Sequence, residues 1–330
     1  MNSKPGNLEA ARKVVLGVDI GGTKTKFGYV DREGDCLEMD SMTTEADHPA
    51  DSFFDRLWER SRILFGRLPG KCETVGIGIG APNANFYKGT IENPPNLSWD
   101  HVDVRAQLGR HSRIPVEVTN DANAAALGEL LFGAARGMKD FIVITLGTGL
   151  GSGIVANGTL VYGADGFAGE IGHTTVDPNG RICGCGKRGC LETYCSVTGL
   201  RRTVQELICD TTEPSILRRV SFEELTGETV FEAAERGDRL AVEAFNSCGA
   251  VLGLKLADSV AHLSPEAIIL SGGMAAAGDL IFTPTKRSLE EHLFPIFRNK
   301  VKLLPSGLTK ANSAILGAAA LIWNSLKESE

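Results

Sequence analysis

One imidazole and three thiols cluster in a short stretch of this chain: His173, then Cys183, Cys185 and Cys190. Such a donor set satisfies a tetrahedral zinc site. Gly184, Gly186 and Gly189 let the backbone turn tightly around an ion. All four positions would come from protein, so the site reads as closed and structural; a catalytic zinc keeps a place for water. Cys-x-Cys is a less usual spacing than Cys-x2-Cys, and a redox pair with Cys195 as a spare thiol is the rival reading. Glu170 and Glu192 flank the cluster. A zinc knot would hold both carboxylates rigid. Rigid carboxylates beside an imidazole suit a ligand made of hydroxyls, each of which donates and accepts. Acids turned to solvent are the alternative.

A second chemistry resides in glycine turns. Asp19-Ile20-Gly21-Gly22-Thr23, Thr145-Leu146-Gly147-Thr148-Gly149 and Ser271-Gly272-Gly273-Met274 each close an apolar run. Small residues let backbone N–H groups point at phosphate oxygens. For one turn alone an ordinary hairpin is the plainer reading; three of them favour a phosphate ligand. The chain lacks GxxxxGK[ST], which excludes a P-loop NTPase. Residues 147–153 lead into a strand and not a helix, which argues against a dinucleotide fold. Asp19 would repel phosphate unless a cation lay between them. Mg²⁺ takes one or two carboxylates, waters and phosphates, so Asp19 is a candidate to hold it through water. A turn-forming Asp is the alternative.

The elements that must position these groups follow from the hydrophobic pattern. Residues 14–20, 26–31 and 36–42 read as an antiparallel meander, and 51–68 as an amphipathic helix. Residues 74–80 and 115–121 read as strands, the second ending in an acid, and Ala-rich 122–135 as helix. Residues 140–163 repeat the opening pattern of strand, glycine turn, strand, short turn, strand. Residues 267–270 form a further strand, and helices fill 196–209, 222–236, 238–263, 278–292 and 311–327. The repeat, about 130 residues apart, predicts two similar α/β halves facing each other across a cleft. We expect residues 1–119 with 311–330 to form the first domain, closed by the C-terminal helix, and 120–310 the second.

Composition narrows the class. The chain has 330 residues, 42% hydrophobic and 23% charged, which excludes disorder, collagen and coiled coil as the main architecture. A net charge of −7 makes nucleic acid a poor partner. No apolar run reads as long enough to cross a bilayer, the best being Ala314 to Trp323, and the polar N-terminus has no h-region. These features predict a cytoplasmic protein that binds no membrane. Cys36, Cys72, Cys209 and Cys248 are expected to be small buried hydrophobes.

Together the motifs resemble the ROK family of repressors, open-reading-frame proteins and sugar kinases. They are Asp19-Ile-Gly-Gly-Thr-Lys24, Thr119-Asn-Asp-Ala-Asn-Ala124, Thr145-Leu-Gly-Thr-Gly149 and Gly169-Glu-Ile-Gly-His173, with the run from Cys183 to Glu192. The likeness spans about residues 14 to 325. Gly80-Ala-Pro-Asn83 and Glu92-Asn-Pro-Pro-Asn-Leu97 are similar to the bacterial ATP-dependent glucokinase branch, although many members have glycine in place of Asn83. The resemblance implies an actin-like, ribonuclease-H-like fold. It implies that Asp121 is the general base, and that Asn93, Asn120, Asp121, Glu170, His173 and Glu192 bind the sugar. It implies structural zinc on His173, Cys183, Cys185 and Cys190. Asp19, Gly21, Gly22, Thr23, Lys24, Gly147, Thr148 and Gly149 would line the phosphates of MgATP, with Gly272 and Gly273 by the adenosine. The implied reaction is phosphorylation of glucose at the 6-hydroxyl, by a homodimer or homotetramer. Kinases of N-acetylmannosamine or N-acetylglucosamine, and a non-catalytic sugar-binding regulator, are the alternatives. Only 13 polar residues precede Val14, too few for a helix-turn-helix domain, which disfavours a repressor. A helix N-cap is the structural alternative for Asp121.

Overall fold

The computed structural model describes residues 11–308 and 311–328. They divide into two compact α/β units, residues 11–132 with 308 and 311–328, and residues 133–307. The break falls at 132/133, not at 119/120 as expected. The helix that follows residue 120 is bound to the first unit by its packing against the C-terminal helix.

The first unit is built on five strands: β1 (Arg12–Ile20), β2 (Lys24–Val30), β3 (Cys36–Thr43), β4 (Cys72–Gly80) and, later in the chain, β8 (Val116–Thr119). Their order is β3-β2-β1-β4-β8. β1, β2 and β3 pair antiparallel, while β4 and β8 run parallel to β1. The parallel strands are apolar because helices cover both faces. Phe53, Phe54 and Leu57 of α1 (Ala50–Phe65) pack with Val18, Phe27 and Ile79 on one side. On the other, α8 (Ser313–Glu328) sets Ile315, Ala319, Ile322 and Trp323 against Val15 and Val30. The Gly-Ile-Gly-Ile-Gly run of β4 serves this face: a Cβ on Gly78 would overlap the Ala318 carbonyl. Between β4 and β8 lie a small sheet of β5 (Ala84–Asn85), β6 (Thr90–Glu92) and β7 (His101–Asp103), and the short helix α2 (Val104–Gly109). α3 (Asp121–Phe132) follows β8.

The second unit repeats the design with β9 (Phe141–Leu146), β10 (Leu150–Ala156), β11 (Thr159–Leu160), β12 (Ala267–Ser271) and β13 (Lys302–Pro305) in the order β11-β10-β9-β12-β13. β9, β10 and β11 form the meander, and β12 and β13 run parallel to β9. Helices α4 (Val197–Asp210), α5 (Gly227–Glu235), α6 (Arg239–Leu263) and α7 (Asp279–His292) complete it. α6 is long and apolar enough to cross a membrane, against expectation, but Phe245, Leu252, Leu256 and Val260 are spent in the core with Ile144 and Leu270. Of the scattered thiols Cys248 is buried, whereas Cys209 is exposed and Cys36 and Cys72 half-buried.

Candidate active site and metal centre

In the first unit the site residues stand at the C-terminal ends of parallel strands. β1 delivers Asp19, which pairs with Lys26 on one side and Gly80 on the other. Burial, then the charge of Asp121, pushes the Asp19 carboxyl up to about 6, and Lys26 draws it back. A carboxylate held this way is one that a divalent cation relieves. The turn after it is pinned by Thr44, whose hydroxyl donates to Gly21 O at 2.6 Å and whose N–H donates to Thr23 O at 3.0 Å. Thr23 and Lys24 are exposed.

β8 delivers Asn120 and Asp121. Asn120 caps α3: its Oδ1 accepts from Ala122 N at 2.7 Å, and its carbonyl accepts from Ala124 N at 2.9 Å. The capping role weighed for Asp121 is therefore filled by its neighbour. Asp121 is open to solvent, yet the protein atoms around it strip enough hydration to raise its carboxyl above the usual range. The Ala122 N–H, 2.8 Å from Oδ1, partly opposes that rise.

The small sheet positions Asn93. Both Asn83 and Asn93 adopt left-handed backbone, with φ of 52° and 45°. Asn83 Nδ2 donates to Asn93 O at 2.9 Å, and Asn93 N donates to Asp100 O at 2.7 Å. Asparagine tolerates this conformation better than other side chains, which suits it to both positions.

In the second unit His173, Cys183, Cys185 and Cys190 come together, their donor atoms all within 4.8 Å of one another. Cys183 Sγ lies 3.7 Å from His173 Nδ1, and Cys185 Sγ 3.7 Å from Cys190 Sγ. The edge of a tetrahedron with bonds of about 2.3 Å is about 3.8 Å, so the donors fit zinc. With Nδ1 turned to the thiols, Nε2 lies 4.0 Å from Glu170 Oε2. Cys195 is a separate buried thiol that donates to Cys248 O. Glu192, in a 3-10 turn at Leu191–Thr193, places Oε2 3.0 Å from Leu150 N. A Cβ on Gly149 would overlap that oxygen, so any other residue there displaces the Glu192 carboxylate. Gly272, with φ of 90°, and Gly273 follow β12 and are exposed.

Sequence reasoning missed Thr44, Thr198 and Arg181. The Arg181 guanidinium donates to Thr193 O and Gly199 O and lies 4.5 Å above the Tyr194 ring. Thr44 and Thr198 act through hydroxyls at loop positions that no periodicity marks. Arg181 sits two residues before Cys183, inside the cluster, where its position was the available signal.

A fold of two like-wound α/β units that carry glycine turns defines the actin-like ATPases, and the chain falls in that class. It matches the ROK family over residues 15–325 and belongs to it. It is 38% identical to a glucokinase of Halalkalibacterium halodurans, over 85% of this chain and 86% of that one. The structure of a ROK family glucokinase from Streptomyces griseus, in complex with glucose and AMPPNP, is 35% identical. It superposes with a TM-score of 0.80, covering 93% of this chain and 98% of that chain. A ROK family transcriptional regulator, a homologue of the E. coli MLC protein, is 28% identical with a TM-score of 0.86. That match covers 95% of this chain and 78% of the regulator.

Proposed function

We propose that this chain is an ATP-dependent glucokinase. The observation that carries the catalytic reading is Asp121: a carboxylate of raised pKa at the first turn of α3, relieved of capping by Asn120. The glucokinase relatives supply the substrate. Asp121 accepts the proton of the glucose 6-hydroxyl, the freed oxygen attacks the γ-phosphorus in line, and ADP departs with the broken P–O bond's electrons. Positioning and charge neutralisation supply most of the rate in such a transfer. Asn93, Asn120, Glu170, His173 and Glu192 hold the sugar hydroxyls. N–H groups of the turns at 21–24 and 147–149, with Thr148, hold phosphate oxygens, and Gly272 and Gly273 lie by the adenosine. Asp19 is the residue to hold Mg²⁺ through water, which neutralises phosphate charge when bound. Zinc on His173, Cys183, Cys185 and Cys190 would fix the loop that carries Glu170 and Glu192. In this reading the enzyme is cytoplasmic, assembles as a homodimer or homotetramer and feeds glycolysis.

The likeness to a regulator keeps a second reading, a sugar-binding protein without catalysis. A sugar panel with ATP separates the readings. Glucose is expected to give a kcat/KM at least about tenfold above N-acetylglucosamine or N-acetylmannosamine, roughly 1.4 kcal/mol of transition-state binding. Faster turnover of an N-acetylhexosamine would keep the kinase and change its substrate. Sugar binding with no turnover would favour the regulator.

A further inference from the structure

The second glycine turn is held from outside itself. Across residues 147–150 its own bond is Gly147 N to Gly149 O at 3.0 Å. Three further bonds reach it from one short segment. Leu150 N donates to Glu192 Oε2 at 3.0 Å, Val197 N donates to Gly147 O at 2.9 Å, and Thr198 Oγ1 donates to Thr148 O at 2.9 Å. We infer that residues 192–198 are a strap that shapes the phosphate turn, with Glu192 and Thr198 as positioning residues for the nucleotide. The inference rests on the proposal that this turn holds nucleotide phosphates.

The physical reason lies in the peptide plane. In a trans peptide the C=O and the N–H of one unit point in opposite directions. The strap draws the carbonyls of Gly147 and Thr148 toward itself. The N–H groups of Thr148 and Gly149 belong to those same two units and are thereby aimed the other way. Two neighbouring N–H groups aimed outward from a turn are an anion cradle. Without the strap each unit is free to rotate, and phosphate must then supply the ordering, which lowers affinity.

The strap is itself braced. Ser196 Oγ donates to Glu192 O at 2.7 Å while accepting from Gly199 N at 3.0 Å, which caps α4. Thr193 Oγ1 donates to Cys190 O at 2.7 Å. Thr193 thereby ties the start of the strap to Cys190 of the Cys3His cluster, and Thr198 ties its end to the phosphate turn, so order in the cluster is carried to the nucleotide as well as to the sugar.

The test measures Mg-AMPPNP affinity and glucose affinity in separate equilibrium titrations, with zinc content by elemental analysis and folding by thermal melt. Thr198→Val is expected to weaken AMPPNP about three- to tenfold, the worth of one hydrogen bond, with glucose affinity and zinc content unchanged. Thr198→Ser, which keeps the hydroxyl, recovers wild-type affinity. Glu192→Ala weakens both ligands. Glu192→Gln restores AMPPNP alone, because an amide oxygen still accepts the Leu150 N–H. A Cβ at Gly147 comes only within 4.0 Å of Gly149 O, and Gly147→Asp sets a carboxylate at the cradle, so it abolishes AMPPNP binding and spares glucose. Wild-type AMPPNP affinity in Thr198→Val and Glu192→Ala, with Gly147→Asp inactive toward the nucleotide, overturns the strap alone. Normal AMPPNP binding by Gly147→Asp overturns the phosphate reading and the strap with it.

Discussion

Each unit opens with a meander whose first turn is glycine-rich, yet the two turns are built and used differently. The first spans four residues between the pair Ile20 and Thr25, the second three between Leu146 and Leu150. Thr44, from the end of the same meander, ties down the first turn. The second is tied by the strap, far along the chain and next to the cysteines. The strand ends differ too. Where β1 carries Asp19 beside Gly80, β9 carries Thr145 beside Ser271. β8 runs into Asn120 and Asp121, whereas β13 runs into Ser306 and Gly307. At these strand ends one topology thus sets acids in the first unit and neutral residues in the second. Carboxylates suit proton and cation handling, and uncharged turns suit phosphate, which an acid would repel.

The largest expected effect is on the acid with no counterpart in the second unit. Asp121→Asn keeps size and removes the base. General-base contributions run to about 10²–10⁴-fold, so kcat should fall by at least the lower figure. Sugar binding is largely kept by the remaining hydroxyl ligands. Steady-state rates and a glucose titration read the two separately. A variant with more than about a tenth of wild-type kcat would remove Asp121 from the mechanism.

The paired meanders were legible because each depends on strong local signals: an apolar run, then an acid or glycine, then a second run. Asp19, Gly147 and the Cys3His cluster stand on such signals. The small sheet of β5, β6 and β7 was not legible, since strands of two and three residues show no alternation. β13 escaped because Lys302 and Pro305 leave only two apolar residues between them. The helix expected over 222–236 starts at Gly227, because Ser221 and Glu224 close a turn on each other first. The role of Asn120 as cap, and the bonds of Thr44 and Thr198 to turns far away in sequence, depend on tertiary pairing. Spacing along the chain does not encode them.

Asp19 sharpens the contrast with Thr145. Its carboxyl is raised from 3.8 to about 6 in the folded protein. A raised acid pKa means that stability is fully present below about 4 and is lost as pH rises through about 6. Asp19→Asn removes that loss. Without nucleotide or metal, the variant should therefore be more stable than wild type by ~3 kcal/mol above pH 6. The gain should vanish below about pH 4, as urea melts across pH would read. Catalysis should move the other way: kcat/KM should fall in Asp19→Asn, because the residue placed to hold Mg²⁺ is gone, while glucose affinity stays near wild type. A variant with wild-type kcat/KM would remove Asp19 from cation handling.

Cys185→Ser acts on the second unit only. Wild type should hold about one zinc per chain, the stoichiometry of one closed site, and the variant far less. Glucose affinity should drop about tenfold or more, because the loop that carries Glu170 and Glu192 loses its anchor, and the melting temperature should fall. Metal-free protein with normal glucose affinity would refute the role given to the knot.

The smallest effect belongs to the first turn. Thr44 is fully buried, and its hydroxyl both meets Thr25 Oγ1 at 3.0 Å and donates to Gly21 O. Thr44→Val keeps the shape and deletes the hydroxyl. The Gly21 carbonyl and the Thr25 hydroxyl then lose a partner, at a cost of about 1–3 kcal/mol in stability. By the peptide-plane argument the Gly22 N–H loses its aim, so AMPPNP affinity should fall about threefold, an effect near the lower limit for one hydrogen bond. The backbone bond from Thr44 N to Thr23 O survives the change and keeps the Thr23–Lys24 peptide unit in place. Zinc content and glucose affinity should not move, since neither knot nor strap is touched. Thr44→Ser should restore nucleotide affinity. If Thr44→Val lowers zinc content, the two turns are not held by separate devices, and the contrast between a locally pinned turn and a strapped one fails.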